Sequence, residues 1–261
     1  MHQALPLLHV PSLAAYPGLV HAVSTRHGGV SVGSYASLNL STSTGDSREN
    51  VDANHRRLAS ALELPRERFT TTWQVHGTLV LHATDDNAGG MIGQADGIIT
   101  DTPELPLTQR YADCTPLLIY DPRRHAIGLG HAGWRGTVAG MARVLVQAMA
   151  AAFGSNPADL AAAIGPAIGP CCYEVGSEVI EAVRAAFPAA DTLLSQPANG
   201  AAAQGPHLDL WAANRWQLEQ AGVGQIETTG VCTRCQRATF FSHRGDGPRT
   251  GRFGAVMMLR S

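Results

Sequence analysis

A thiol and an imidazole, Cys114 and His131, stand in the stretch Tyr111–Gly136, YADCTPLLIYDPRRHAIGLGHAGWRG. Between them two apolar runs, Pro116–Tyr120 and Ala126–Leu129, flank Asp121-Pro122-Arg123-Arg124, the composition of a β-hairpin closed by a turn. Paired residues of a hairpin sum to a constant, and the midpoint of Cys114 and His131 falls between Pro122 and Arg123. A symmetric register therefore predicts the two directly opposite one another, on one face of the open end. Such a pair is either a nucleophile with its base or two ligands of a metal.

His76 is the third candidate. It stands in Gln74-Val75-His76-Gly77, at the end of an expected strand, beside a glycine that allows close approach. Two histidines and a cysteine supply three of the four positions of a zinc site and leave the fourth open for water or substrate, as catalytic sites require.

Other motifs carry less. Gly128-Leu129-Gly130-His131-Ala132-Gly133 matches GxGxxG, but a dinucleotide fold needs an acidic residue ~20 residues on, and that position falls near Phe153. What survives is a single phosphate on the amides at the start of the following helix. Cys232-Thr233-Arg234-Cys235 lacks a second CxxC or HxxxH to complete a zinc finger, so it reads as a buried or structural pair outside the His-Cys-His site. Replacing both cysteines is expected to leave the metal content unchanged. Adjacent Cys171-Cys172 should project to opposite sides of the backbone and pack beside a tight loop.

The elements that must position these groups belong to a chain of 261 residues, 44% hydrophobic and only 15% charged, against ~25% charged in ordinary soluble domains. That favours one compact α+β domain, 1–261, without an internal repeat or linker. A net charge of −2 gives no case for nucleic acid, and no apolar run approaches the ~20 residues of a membrane span. With no leader-like N-terminus and an odd cysteine count, the expected location is cytoplasmic. All 19 basic residues are arginine, which excludes Schiff-base chemistry and a lysine phosphate loop. Anion contacts must come from arginine, amides or a metal.

In order, strands are expected at 21–25, 69–73, 80–83 and from 95, then the hairpin. Further strands are expected at 161–164, 226–231 and 254–259. Helices are expected at 47–62, 137–153, 177–187 and 210–221, the last capped by Asp209. The low-complexity segment 194–205 reads as a mobile loop.

Taken together, Arg26-His27-Gly28-Gly29-Val30-Ser31, Gln74-Val75-His76-Gly77, Ala95-Asp96-Gly97, Ala112-Asp113-Cys114, His131-Ala132-Gly133-Trp134-Arg135-Gly136 and Ile168-Gly169-Pro170-Cys171-Cys172-Tyr173-Glu174 resemble the YfiH family. That family is also called the laccase-domain or multicopper polyphenol oxidoreductase family, and it includes a peptidoglycan-editing factor. The similarity runs from about residue 20 to the C-terminus. It implies a layered α/β sandwich of mixed sheets with flanking helices, related to the cysteine-hydrolase domain of cytotoxic necrotizing factors. It implies a metal held by His76, Cys114 and His131, zinc first and copper as the alternative. Substrate contacts carried over are Arg26, Asn39, Gln74 and Arg135. Members often have Asn-Arg where this chain has Asn54-His55, so Arg26, Arg56 or Arg135 would have to serve instead.

The activities implied are phosphorolysis of adenosine, inosine and methylthioadenosine, with deamination of adenosine. The partners are then purine nucleosides and phosphate, with the chain a monomer or weak homodimer. Alternatives are a copper phenol oxidase, a cysteine amidase acting on cell-wall precursors, and a binding module with a structural zinc. The oxidase is the weaker: a trinuclear cluster needs His-x-His pairs, and none of the 11 histidines lies two residues from another.

Overall fold

A computed structural model describes residues 5–195 and 205–261. Its strands are β1 (Leu7–Leu8), β2 (Leu19–Ser24), β3 (Thr70–Trp73), β4 (Val80–His82), β5 (Gly90–Gln94), β6 (Gly97–Thr100) and β7 (Leu107–Tyr111). They continue with β8 (Thr115–Asp121), β9 (Ala126–Ala132), β10 (Ala161–Ile164), β11 (Leu194–Ser195), β12 (His207–Leu208), β13 (Gln225–Thr228) and β14 (Phe253–Leu259). The helices are α1 (Pro11–Ala14), α2 (Arg48–Leu62), α3 (Trp134–Val138), α4 (Met141–Phe153), α5 (Ser177–Ala186), α6 (Ala190–Leu193), α7 (Leu210–Gln220) and α8 (His243–Asp246).

Two six-stranded mixed sheets, ordered β1-β2-β14-β7-β3-β5 and β13-β10-β8-β9-β6-β4, lie face to face. Period-two alternation sorts each central strand between two cores. On β8, Leu118 and Tyr120 join Leu107, Phe253 and Met257 between the sheets. Leu117 and Ile119 point the other way, onto Leu145 and Met149 of α4 and Leu218 of α7. On the outer face of the first sheet, Leu58 and Leu62 of α2 cover Val256 and Met258 of β14. The layers therefore run helix, sheet, sheet, helix, as expected of a sandwich of mixed sheets. Strands buried on both faces lose the polar half of their pattern, and β8 and β9 are buried along their whole length.

Local rules account for most boundaries. Ser47 caps α2 by accepting the Asn50 amide, and Asp209 caps α7 by accepting that of Ala212. The helix expected over 137–153 is two helices, α3 and α4, because Gly140 at φ 90° breaks it. Gly128 and Gly130, read above as half of a GxGxxG, let α4 onto the sheet: a Cβ at either would meet Met149 or Leu145 at 2.9–3.0 Å. Strands β5 and β7 were not expected. β5 opens with two glycines, and β7 holds Thr-Gln-Arg between its end residues, so neither shows apolar alternation. Of the segment 194–205, residues 196–204 lie outside the described residues.

The hairpin forms with a different register. β8 and β9 pair Thr115 with Ala132, Pro116 with His131 and Asp121 with Ala126. Asp121 belongs to the strand, and its Oδ1 accepts the amides of Arg123 and Arg124, so the loop is Pro122–His125. The expected centre is therefore wrong by one residue and the register by two. A two-residue shift preserves the face. Cys114 sits diagonal to His131, just beyond the last pair, instead of opposite it.

Candidate metal centre and cavity

The ends of four strands meet at one rim. β3 and β7, parallel neighbours in the first sheet, lead out to His76 and to Cys114. β9 ends beside His131, and Asp96 immediately precedes β6. A ligand atom from each of His76, Cys114 and His131 lies within 4.8 Å of the other two. The two imidazoles meet edge to face, with centroids 5.0 Å apart. Gly133 makes room: a Cβ there would lie 2.9 Å from the Cys114 sulfur and 3.1 Å from the His76 ring.

Asp96, which the residue patterns alone did not single out, organises the cluster. Its buried carboxylate accepts the amides of Val75 (3.0 Å), His76 (2.9 Å) and Gly77 (2.7 Å). Its Oδ1 is also 2.7 Å from Nδ1 of His131. Consecutive amides converging on one anion form a backbone nest. This one holds His76 at φ 63°, a left-handed conformation that costs a non-glycine residue roughly 1–2 kcal/mol. Binding Nδ1 of His131 leaves Nε2 for a ligand, the arrangement in which a carboxylate fixes the tautomer of a metal-binding histidine. The donor set, the carboxylate behind His131 and the room left by Gly133 all fit a tetrahedral ion with one open position.

The electrostatics follow. Burial pushes the Cys114 thiol up, but the charge of His131 and hydrogen bonds from His131 and His76 outweigh it, leaving it at about 6. Burial pulls His131 down, while the facing Cys114 charge and the Asp96 hydrogen bond raise it to about 9. Without a metal the two form a thiolate–imidazolium pair.

The cluster opens into a cavity of about 670 Å³. Trp73, Met91 and Trp134 supply apolar wall, Ser41–Ser43 hydroxyls, and Arg110, Arg135, Arg244 and Arg252 positive charge. Burial, with Cys114 second, pushes the Tyr173 phenol up to about 12, so it lines the cavity as a neutral donor. Of the substrate residues expected, Gln74 and Arg135 line the cavity. Gln74 spends both amide atoms on the backbone of Arg110. Arg135 reaches Glu178 and stacks on Trp134, 4.2 Å from the ring centroid.

Arg26 and Asn39 are not brought to the cavity wall. Arg26 binds the carbonyls of Ala36 and Arg237 and pairs with Asp246. Asn39 is fully buried and binds the Ser41 carbonyl and the Arg252 amide, so it braces two stretches that do line the wall. Arg56 pairs with Asp52 on the surface. His55 binds the Leu40 carbonyl. The arginines missed, Arg110, Arg244 and Arg252, come from β7 and from the glycine-rich segment before β14, where no local pattern marks them. Asp96 had a signal: a carboxylate entering a wholly apolar strand must find partners.

The cysteine expectation needs correcting. The thiols of Cys171, Cys172, Cys232 and Cys235 all lie within 4.8 Å of one another. The turn at Pro170–Cys172 folds the adjacent pair to one side, so the CxxC finds its partner in a CC. They are separate from the His-Cys-His cluster, as expected.

Comparison with known proteins agrees with this architecture. Residues 20–260 match the family model described as multi-copper polyphenol oxidoreductase laccase. A relative from Geobacillus stearothermophilus, purine nucleoside phosphorylase YlmD, is 39% identical over 94% of this chain and 92% of its own. A purine nucleoside phosphorylase from Deinococcus radiodurans is 42% identical over 98% of this chain and 93% of its own. The crystal structure of YlmD from Geobacillus stearothermophilus superposes with a TM-score of 0.89 at 37% identity, covering 100% of this chain and 98% of the other.

Proposed function

The chain belongs to the multi-copper polyphenol oxidoreductase laccase family, and from that premise we propose that it is a zinc-dependent purine nucleoside phosphorylase. Its substrates are adenosine, inosine and methylthioadenosine, and it deaminates adenosine at the same site. The observation that carries the reading is the convergence of His76, Cys114 and His131 in the lining of a cavity that also holds arginines and tryptophans. Relatives named purine nucleoside phosphorylase support it.

In phosphorolysis a phosphate oxygen attacks the anomeric carbon as the glycosidic bond breaks, and the bonding pair leaves with the base. The sugar gains positive charge and the base negative charge. Arginines on the wall hold and orient the phosphate, converting a bimolecular collision into an oriented step. The rings of Trp73 and Trp134 offer faces for the purine, and Tyr173 a neutral donor. His76, Cys114 and His131 would hold the ion, which when bound supplies a Lewis acid for charge on the departing base or an activated water for deamination. Asp96 fixes both histidines throughout. Copper is the alternative ion, since its intrinsic affinity for such donors exceeds that of zinc.

A cytoplasmic location belongs to this proposal, because the site needs Cys114 as a reduced thiolate; no helix among the described residues is long and apolar enough to cross a membrane. Turnover of the three nucleosides with and without phosphate, on protein of known metal content, tests the reading. Free base with the sugar 1-phosphate (ribose 1-phosphate from adenosine and inosine, 5-methylthioribose 1-phosphate from methylthioadenosine), dependent on both phosphate and metal, is expected. Free base without phosphate would make the chain a hydrolase, and oxygen uptake with phenols an oxidase.

A second reading has one specific observation behind it. Cys114, His131 and Asp96 stand in the order nucleophile, base, orienting carboxylate, which is the equipment of a metal-free cysteine amidase. Its signature is activity that survives chelation.

A further inference from the structure

Nothing in the proposed reaction uses the other four cysteines, which lie in two loops far apart in sequence. We propose that Cys171, Cys172, Cys232 and Cys235 form a second metal site, a closed four-thiolate centre for a tetrahedral thiophilic ion, zinc first.

The spacing fits the ion. A zinc–sulfur bond of ~2.3 Å sets sulfur–sulfur edges of about 3.8 Å in a tetrahedron. The Cys235 sulfur lies 3.5 Å from that of Cys171 and 3.4 Å from that of Cys172, and no pair of the four exceeds 4.8 Å. A disulfide would need ~2.05 Å, and all four are free thiols. With four protein sulfurs no position stays open, which marks a structural ion, and an all-sulfur tetrahedron selects zinc or iron over harder cations.

The surroundings suit thiolates. The Gly169 amide donates to the Cys232 sulfur at 3.3 Å, and the Cys235 amide also donates to it. Two amides on the first sulfur of a CxxC stabilise its charge. Glycine is required at 169: a Cβ there would lie 2.6 Å from the Trp211 ring and 3.3 Å from the Cys232 Cβ. Four thiolates and a divalent ion leave a net charge of −2, and Arg234, between the two CxxC cysteines, donates to the Cys172 carbonyl. Its guanidinium is therefore at hand to offset that charge.

The ion would clasp the loops that brace the candidate active site. Thr233, inside the CxxC, donates to Oδ1 of Asp113 at 2.6 Å. Ile168 donates its amide to the Asp113 carbonyl, and Asp113, at φ 85°, immediately precedes Cys114. Tyr173, on the cavity wall, immediately follows Cys172. Closing the two loops on one ion fixes both neighbours, and removes chain entropy from the unfolded state.

Native mass spectrometry of the reduced full chain, titrated with zinc alone, counts the ions. Two per chain are expected, with one left in Cys232→Ser/Cys235→Ser and one left in His76→Ala/His131→Ala. Should the serine variant fail to fold, the wild-type protein still decides. Cobalt in place of zinc should give intense thiolate-to-metal absorption with a second equivalent, and iodoacetamide should label the four cysteines at least about tenfold more slowly with zinc than after chelation. Elemental analysis of the protein as purified separates zinc from iron, and either supports the site. A single ion per chain with four freely alkylated thiols would overturn the proposal, as would a mass deficit of two hydrogens per pair showing that the cysteines form disulfides.

Discussion

Asp96 Oδ1 stands 2.7 Å from His131 Nδ1 while the same carboxylate gathers the amides of Val75, His76 and Gly77. One buried anion thus sets the orientation of one histidine and the backbone of the other. The His131 ring and the His76 backbone cannot move without breaking a bond to Asp96, so much of the candidate site's geometry is set by the protein alone.

Asp96→Asn should therefore weaken metal binding by roughly 10–100-fold, the usual effect of losing such an outer partner. Asparagine keeps the shape but not the charge that stabilises the nest. Competition with a chromophoric chelator reads the affinity directly. Unchanged affinity would mean that Asp96 serves only the fold.

How far the sequence reaches is visible in this cluster. His76, Cys114 and His131 were legible because each sits at a strand end within a motif. Apolar runs and caps made one α+β domain legible, while the layering of its sheets came only with the family resemblance. The hairpin register was not, because Asp121 can either end a strand or open a turn, and only its amide contacts decide. The four-cysteine cluster was hidden for a different reason: the alternating projection of adjacent side chains holds for extended chain, and Pro170–Cys172 is a turn. The cavity arginines come from distant segments, so tertiary structure alone brings them together.

Metal binding should release a proton across the neutral range. In the metal-free pair Cys114 is a thiolate above about 6 and His131 an imidazolium below about 9. The bound ion needs the thiolate and the neutral imidazole. Between those values one proton leaves per ion from this pair, so affinity rises about tenfold per pH unit and levels off above the His131 value. Calorimetry in two buffers of different ionisation enthalpy counts the proton. A pH-independent affinity over this window would show that the pair is not the ligand set.

Alkylation separates the two readings of Cys114. As a ligand its lone pairs are engaged, so iodoacetamide should label it slowly in the loaded protein and faster after chelation. As an amidase nucleophile it should label fast without metal, and activity should survive the chelator. Slow labelling together with loss of nucleoside turnover on chelation is the expected result. Turnover persisting with no metal bound would promote the amidase.

Acid should destabilise the fold through two buried histidines outside the His-Cys-His cluster. Burial, with the charge of His9 second, lowers His21 to about 4, and its Nε2 accepts the Val10 amide. Burial, with Arg66 second, lowers His55 to about 4. Both folded values lie below the unfolded ~6.5. The unfolded chain then binds more protons, and stability falls as pH drops from that value towards 4. Near pH 5 each contributes close to one proton, a slope of about 1.4 kcal/mol per pH unit. Denaturant melts of wild type and His21→Gln from pH 7 to 5 should show the variant with the shallower slope, whatever its stability at pH 7. Equal slopes would contradict a neutral, buried His21.

The arginine that should matter most to phosphate is Arg252. Its guanidinium is anchored by the carbonyls of Thr250 and Gly251. It lies on the cavity wall, where burial lowers its pKa and the charges of Cys114 and Asp113 act against that. Arg135 is also on the wall, but it is held only by an exposed and so weak pair with Glu178 and by stacking on Trp134, with no carbonyl among the described residues accepting from its guanidinium. A preorganised guanidinium contributes more per hydrogen bond, because less side-chain freedom is lost when phosphate arrives. One charge-assisted contact is worth roughly 1.5–3 kcal/mol, so Arg252→Ala should lower kcat/KM for phosphate by about 10- to 150-fold. Arg135→Ala should cost less. Arg26→Ala, which opens an ion pair off the cavity wall, should lower the melting temperature and leave the KM for phosphate in place. An Arg26 variant with the larger phosphate defect would relocate the anion site to the Arg26 loop.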